Sequence, residues 1–166
     1  MRASEDGPDY GLLALQTAEV AGGQPHWVTA LSNASALMAE ELPRINWVGF
    51  YLLGPLLDPQ LPSDVLFLGP FQGRVACTTI RLGTGVCGTS AAQDRTLRVD
   101  DVHSFPGHIA CDAASASELV VPLHAHGHVA GVLDIDSPDQ ARFSAIDQQG
   151  IEAVARAVEG ALEGAL

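Results

Sequence analysis

The sequence predicts an α+β fold in which a central antiparallel sheet carries helices mainly on one face. Helical periodicity is concentrated near the two ends of the chain. The middle consists of short runs rich in β-branched and aromatic residues, separated by turns that contain glycine or proline. Helices grouped at the ends and consecutive strands joined by hairpins are typical of α+β domains. The sheet face without helices is then free to hold a pocket.

Length and composition predict one well-packed domain. The chain has 166 residues, of which 47% are hydrophobic and 17% are charged, and a chain of this length buries about 70% of its unfolded surface. Residues 9–166 are therefore expected to form a single domain, preceded by a flexible tail at residues 1–8.

Two helices are predicted near the N-terminus, at residues 10–20 and 25–42. In the second segment, hydrophobic residues recur at helical spacings of three and four. Two glycines and a proline within residues 21–25 interrupt the pattern, and Pro43 cannot continue a helix. A further helix is predicted to begin near Ser144, with an approximate capping box, and to run to the C-terminus.

Strands are predicted between these helices. Their segments are residues 45–53, 65–69, 78–80, 96–102, 118–123 and 128–136. The first two are expected to form a hairpin despite the proline-rich connection at residues 54–64, and the last two a second hairpin. Pro122 has no amide hydrogen, so it is expected at a sheet edge or a strand end. A short helix is predicted at residues 90–92.

Strand alternation places two carboxylates side by side in the last predicted strand. Asp134 and Asp136 share one face of that strand. Because neighbouring carboxylates repel each other, one of them is expected to hold its proton near neutral pH and to donate it. Glu118 on the neighbouring strand is a third candidate, although the sequence does not define the hairpin register that would place it. The alternative is a pair of solvent-exposed acids, the common situation for aspartate.

The charge of the chain argues against polyanionic partners. Twenty acidic residues against eight lysines and arginines give a formal net charge of −12, which repels nucleic acid and anionic membrane surfaces. The apolar runs are shorter than a membrane span, and the N-terminus is acidic where a signal peptide would be basic. We therefore expect a cytoplasmic protein that binds neither nucleic acid nor membranes.

The chain has three cysteines, Cys77, Cys87 and Cys111. An odd number does not describe a disulfide framework, and the wide separations do not match the closely paired ligands of zinc sites. The histidines between residues 103 and 128 add no recognised ligand spacing, so no metal is expected. The number of cysteines would instead suit a nucleophile with one or two resolving thiols.

Cys111 lies in a segment that is too broken for a core helix and too polar for a core strand. Pro106 and Gly107 precede it, and Asp112 follows it directly. Such a segment is typical of a loop that presents a thiol to a pocket, while the alternative is a small buried hydrophobe. Only His108 could act as a nearby cation, so a reactive Cys111 would depend on an acid that protonates the substrate.

Four segments of the sequence, in chain order, closely resemble the GAF-domain free methionine-R-sulfoxide reductases. They are GPFQGRVACTTI, GTGVCGTSAAQDRTLRVDDVH, FPGHIACDAASASELVVPL and GVLDIDSP. The region NASALMAEELPRINWVGFYLL is similar to the N-terminal part of that family. The resemblance covers roughly residues 10–160, and it is specific because each cysteine lies in a matching motif.

The resemblance implies a GAF-type fold and a reductase that acts on free L-methionine (R)-sulfoxide. By the same resemblance, Cys111 attacks the sulfoxide sulfur, releases methionine and becomes a sulfenic acid. Cys77, or Cys87, resolves it as a disulfide, and thioredoxin reduces the disulfide with electrons from NADPH through thioredoxin reductase. The family also implies a homodimer and no bound cofactor.

The resemblance assigns the substrate site to acidic and aromatic residues. Glu118, Asp134 and Asp136 match the acidic site that holds the substrate ammonium and polarises or protonates the sulfoxide oxygen. Trp47 and Tyr51 match the aromatic wall around the substrate methyl group. The alternative for the two aromatic residues is simple core packing, since residues four apart share a face of a strand.

The sequence is also compatible with two other functions. In the first, a stand-alone GAF sensor, Cys111 reports oxidants or a small ligand and signals to a partner. The second, a structural interaction module, leaves the small residues and acids around Cys111 unexplained. Catalytic turnover separates enzyme from sensor, because a sensor reacts once and stops.

Overall fold

The computed structural model describes residues 7–108 and 113–165. The α-helices in this part of the chain are α1 (Tyr10–Ala21), α2 (Trp27–Glu41), α3 (Gly54–Leu57), α4 (Gly85–Gln93) and α5 (Ala145–Ala165), and a short 3-10 helix spans Val102–Ser104. The strands are β1 (Trp47–Leu53), β2 (Val65–Gly73), β3 (Thr79–Arg81), β4 (Leu97–Val99), β5 (Ser117–Ala125) and β6 (His128–Ser137). Most of the predicted tail, residues 1–6, and the predicted nucleophile Cys111 lie outside the described residues.

All six of these strands form one sheet, and every pairing in it is antiparallel. The order is β3-β2-β1-β6-β5-β4, so β1 and β6 lie at the centre. Both predicted hairpins, β1 with β2 and β5 with β6, are confirmed. The α+β class is confirmed as well.

The hydrophobic core lies on one face of the sheet, beneath α1, α2 and α5. Its side chains include Leu31 and Met38 from α2, Phe50 from β1, and Leu133 and Ile135 from β6, all buried. The alternate residues of the same strands point to the opposite face, where α4 packs and a second hydrophobic cluster forms. The prediction of helices mainly on one face is therefore confirmed.

A capping box begins α5 and ties it to α1. The Ser144 backbone N–H donates to Asp147 Oδ2 over 2.7 Å, and the Asp147 N–H donates to Ser144 Oγ over 3.2 Å. Asp147 also accepts a hydrogen bond from the Tyr10 hydroxyl of α1 and lies 3.3 Å from Arg142 Nη1. One carboxylate thus caps a helix and anchors its neighbour.

Several element bounds differ from the predictions for local reasons. The connection at residues 54–64 begins with the helical turn α3, because Pro55 at the first helical positions has its φ already fixed for a helix. The helix predicted at residues 90–92 is the end of α4, which begins five residues earlier, at Gly85. Strand β2 runs on to Gly73, and β4 is confined to three residues.

Pro122 lies in the middle of β5 and still obeys the edge rule. Strand β4 flanks β5 only from Glu118 to Val120, so Pro122 faces no strand on that side. On the other side, Pro122 is paired in register with Val132 of β6. The missing amide hydrogen therefore falls where the local sheet edge is open.

No helix in the described residues is long and apolar enough to cross a membrane.

Candidate active site

Three acidic side chains meet on the sheet face opposite the main core. Glu118 of β5 pairs in register with Asp136 of β6, and Asp134 lies two residues earlier on the same strand. The register therefore places Glu118 on the same face as Asp134 and Asp136, which the sequence alone did not determine. Glu118 and Asp134 are only 7% and 6% exposed, whereas Asp136 is partly exposed. Buried carboxylic acids are rare, so the cluster marks a specialised site.

The environment favours the neutral form of the two buried acids. Burial, then the charges of Asp134 and Asp136, raise the pKa of Glu118 well above its usual value. Burial likewise raises the pKa of Asp134 to about 6, against the opposing effect of hydrogen bonds from Glu118 and Cys87. Two buried carboxyls this close cannot both ionise readily, so the pair retains a proton near neutral pH. The cluster can therefore donate a proton to a bound ligand.

One oxygen of this pair is left without a partner. Asp134 Oδ1 is fully buried and makes no hydrogen bond within the part of the chain that the structure describes. A buried polar atom without a partner is unfavourable, so its presence needs an explanation. A ligand that supplies a hydrogen-bond donor or a positive charge would satisfy it.

Cys87 of α4 points its thiol into the acidic cluster. Its Sγ lies 3.8 Å from Glu118 Oε1, in position to donate a weak hydrogen bond. Helix α4 approaches the end of β3 closely because Gly88 has no side chain. A Cβ at residue 88 would overlap the Arg81 carbonyl. Burial, then the charges of Asp134 and Glu118, raise the pKa of the Cys87 thiol well above its usual value. The thiol is therefore protonated, which makes Cys87 a poor nucleophile.

A wall of stacked aromatic rings borders the acids. The Trp47 ring stacks on those of Tyr51 and Phe71, with centroid distances of 5.9 Å and 5.2 Å. Trp47 is also the register partner of Asp136, so the wall and the acids share one face of the sheet. Gly49 leaves room for the stack, because a Cβ there would overlap Phe71 and Trp47. Phe71 was missed from the sequence, since only the β1–β2 register brings it opposite Gly49.

Hydrogen bonds from the aromatic wall hold the segment that contains Cys77. The Tyr51 hydroxyl donates to the Cys77 carbonyl over 3.0 Å, and Trp47 Nε1–H donates to the Arg74 carbonyl over 3.2 Å. Cys77 is half-buried in the irregular link between β2 and β3 and is disulfide-bonded. Cys87 is a free thiol. The third predicted catalytic cysteine, Cys111, lies outside the described residues.

His108 borders the cluster from the far side. Its Nε2 lies 4.0 Å from Glu118 Oε2, and its ring makes an edge contact with His103. Burial, then the charge of His103, lower the pKa of His108, so the imidazole is neutral at pH 7. A neutral His108 is not the nearby cation that could activate Cys111.

One set of side chains in the described residues has the composition and spacing to ligate a metal ion. Single ligand atoms of Cys87, Glu118 and Asp134 lie within 4.8 Å of one another. The set mixes one sulfur with carboxylate oxygens, which suits a thiophilic divalent cation better than magnesium or calcium.

The order of the antiparallel strands, with helices mainly on one face and an acidic cluster on the other, is that of a GAF-domain protein, and the GAF domain model matches residues 14–162. Within that class, the chain belongs to the family of free methionine-R-sulfoxide reductases. It is 48% identical over 140 residues to the Escherichia coli (strain K12) free methionine-R-sulfoxide reductase, covering 84% of this chain and 80% of the relative. It is 42% identical over 151 residues to the Saccharomyces cerevisiae protein of the same name, covering 88% and 81%.

A solved structure agrees with this placement. The Neisseria meningitidis free methionine-R-sulfoxide reductase, in complex with its substrate, superposes with a TM-score of 0.89 at 39% identity. The alignment covers 99% of this chain and 95% of the Neisseria chain. The similarity to that enzyme therefore extends over nearly the whole chain.

Proposed function

We propose that the protein reduces free L-methionine (R)-sulfoxide to methionine. The observation that carries this proposal is the buried pair of Glu118 and Asp134, which retains a proton beside an aromatic wall. A sulfoxide offers a basic oxygen to such a donor, and its methyl group suits the ring surface. Family membership supports the same substrate, because the relatives are named for it.

Each part of the substrate has a complementary group in the pocket. The rings of Trp47, Tyr51 and Phe71 pack around the methyl group. The ammonium group is held by carboxylate oxygen, for which the partly exposed Asp136 and the unpartnered Oδ1 of Asp134 are suited. A peptide-bound methionine sulfoxide has no such ammonium group, which explains a preference for the free amino acid.

The proposed reaction consumes two thiols and releases water. The Cys111 sulfur attacks the sulfoxide sulfur while the acid pair protonates the oxygen, so that methionine leaves and Cys111 becomes a sulfenic acid. The Cys77 thiol then attacks the sulfenic sulfur, expels water and forms a disulfide. We assign the resolving role to Cys77 because it is disulfide-bonded while Cys87 is a free thiol. Cys87 acts as a neutral hydrogen-bond donor beside Glu118.

Thioredoxin is the proposed reductant of this disulfide. Cys77 is only half-buried, and its neighbour Val75 is 89% exposed, the most exposed large hydrophobic side chain in the described residues. An accessible disulfide beside an apolar side chain is open to attack by the dithiol of another protein. Electrons then come from NADPH through thioredoxin reductase, and no bound cofactor is required.

We further propose that the protein is a homodimer. Helix α1 exposes Leu12 and Leu15, at 42% and 71%, and α2 exposes Val28 at 40%. Exposed aliphatic side chains on two neighbouring helices are suited to contact with a second copy. Light scattering that gives the mass of a single chain at micromolar concentration would reject this proposal.

The test of the activity is thioredoxin-coupled oxidation of NADPH with three sulfoxides. We expect turnover with free L-methionine (R)-sulfoxide and none with the (S) epimer or with an N-acetylated, amide-capped (R) form. Equal rates with the capped form would contradict the role given to the ammonium group. No turnover with any sulfoxide, using active thioredoxin and freshly reduced protein, would favour the redox sensor instead.

A further inference from the structure

The acidic cluster has the geometry of an incomplete metal site. Cys87 Sγ and Glu118 Oε1 are 3.8 Å apart, and ligand atoms of Cys87, Glu118 and Asp134 all lie within 4.8 Å of one another. A tetrahedral zinc ion keeps its sulfur and oxygen ligands about 3.5 Å apart. The three side chains therefore need only small rotations to bind one ion.

The site also has an unsatisfied atom that calls for a positively charged ligand. Asp134 Oδ1 is fully buried and has no hydrogen-bond partner in residues 7–108 and 113–165. Asp136 adds negative charge at the open side of the cluster, since it is paired in register with Glu118 and is partly exposed. A compact divalent cation would satisfy this oxygen and neutralise the surrounding charge.

We propose that Cys87, Glu118 and Asp134 bind a thiophilic divalent cation such as Zn²⁺, and that the bound ion excludes the substrate. Three protein ligands leave a fourth position for water, as in open zinc sites. Binding displaces the thiol proton and a carboxyl proton, because the ligands must be deprotonated. The ion would occupy the acids that bind the substrate, so the inhibition, unlike the binding, rests on the function proposed above.

The sulfur ligand sets the selectivity of this site. Thiolate favours zinc, cobalt and cadmium, whereas magnesium and calcium require oxygen ligands and keep their waters. We therefore expect Mg²⁺ at millimolar concentration to leave the site empty. Free zinc at low concentration would inhibit the enzyme reversibly.

Binding is tested by titrating Co²⁺ into the oxidised full-length protein, in which the Cys77 sulfur is held in a disulfide. We expect one Co²⁺ per chain, a thiolate-to-cobalt absorption band, and loss of the band on adding Zn²⁺ but not Mg²⁺. Cys87→Ser should abolish the band and weaken binding at least tenfold. The matched control is Asp94→Asn, which alters a separate cluster of His124 and carboxylates and should leave the band unchanged.

Two outcomes of this titration would overturn the proposed site. The first is a wild-type protein that shows no thiolate band. The second is a Cys87→Ser variant that keeps the band, since the ion then binds elsewhere. Circular dichroism of each variant confirms that the protein is folded before binding is compared.

Inhibition is tested by single-turnover formation of methionine from pre-reduced protein, without thioredoxin or free thiols. We expect Zn²⁺ at ten times its Kd to slow the wild type about tenfold, with relief by excess sulfoxide or by EDTA. The ratio of rates with and without Zn²⁺ should approach one in Cys87→Ser. Equal inhibition of both proteins would place the effect at another thiol and reject the mechanism.

The two proposals fail in different ways. If the wild type forms no methionine even without zinc, the proposed reductase activity is wrong, while the cobalt band still reports the site. If methionine forms but zinc neither binds nor inhibits, the metal site is wrong and the reductase activity stands.

Discussion

The separate roles proposed for the three cysteines of this chain can be distinguished by single substitutions. Cys77 is disulfide-bonded and half-buried, Cys87 is a buried free thiol, and Cys111 is the proposed nucleophile. We predict that Cys111→Ser forms no methionine in a single turnover, whereas Cys77→Ser forms about one methionine per chain and then stalls, because its sulfenic acid has no resolving thiol. Amino-acid analysis of pre-reduced protein mixed with excess sulfoxide measures both yields.

Cys87→Ser is the control in the same experiment. It keeps both partners of the proposed disulfide, so thioredoxin should still support repeated turnover. Repeated turnover by Cys111→Ser would refute the role given to that residue, and a stalled Cys87→Ser would transfer the resolving role from Cys77.

The burial of Asp134 is expected to lower the free energy of unfolding, because the carboxyl group is placed for the function of the site and not for stability. Burial raises its pKa to about 6, above the value near 4 of an unfolded chain. Stability from such a group is present at low pH and is lost as pH rises from about 4 through the folded pKa. We predict that Asp134→Asn raises the free energy of unfolding at pH 8 by on the order of 2 kcal/mol and lowers kcat/KM more than a hundredfold.

Thermal unfolding at pH 5 and pH 8 checks this prediction, with exposed Asp58→Asn as the matched control. The gain from Asp134→Asn should be smaller at pH 5, where the wild-type acid is largely protonated. A loss of stability at pH 8 would show that the aspartate has favourable partners in the folded protein.

At the scale of elements, the contact between α1 and α5 depends on one glycine. Gly150 of α5 faces the Tyr10 ring, and a Cβ at residue 150 would overlap the ring atoms. The ring cannot turn away freely, because its hydroxyl donates to Asp147. We predict that Gly150→Ala costs about 1–3 kcal/mol of stability through overpacking.

Gly160 provides the comparison within the same helix. It is exposed, and a Cβ there would meet no atom within 4 Å. Gly160→Ala should therefore stabilise α5 by up to about 1 kcal/mol from helix propensity. Urea denaturation of both variants measures these effects. We expect the two urea midpoints to shift in opposite directions, and equal shifts would contradict the packing argument.

The sequence predicted the elements whose signals are local. The α5 capping box and both hairpins follow from side chains close together in the chain. Alternation also placed Asp134 and Asp136 on one face, since that pattern needs no partner strand. The alternation does not extend to Val129, which packs with the second cluster next to a register shift between Leu123 and His124.

Features that depend on contacts between distant elements could not be predicted. Phe71 joins the aromatic wall only through the β1–β2 register. The start of α4 depends on a close approach of Gly88 to β3, and the place of Glu118 depends on the β5–β6 register. The resemblance to the family supplied candidate roles for these regions, but the contacts themselves came from the structure.

At the scale of the whole molecule, one histidine joins three elements. His124 of β5 bridges Glu159 of α5 through Nδ1 and Asp94, which follows α4, through Nε2, over 2.8 Å and 2.7 Å. Glu152 and Arg156 line the same groove of about 310 Å³. Burial opposes protonation, but the hydrogen bonds to Glu159 and Asp94 outweigh it and raise the pKa of His124.

The stabilisation by His124 is expected below its unfolded pKa of about 6.5 and should be lost as pH rises through the higher folded pKa. We predict that His124→Gln lowers the Tm at pH 6 and has a smaller effect at pH 9. Thermal unfolding at the two pH values is the measurement, with exposed His128→Gln as the control. An effect that grows with pH would mean that the neutral imidazole is the stabilising form.

Strand β6 contributes to both faces of the sheet, with Leu133 and Ile135 in the main core and Asp134 and Asp136 in the acidic cluster on the opposite face. Adjacent codons in this stretch are therefore under opposite constraints. In a saturation-mutagenesis library, damaging substitutions of Leu133 and Ile135 should lower the abundance of the protein. Damaging substitutions of Asp134 and Asp136 should leave the protein abundant but inactive. Abundance and activity scores along β6 would then alternate with a period of two, and that alternation alone would reveal which face performs the chemistry.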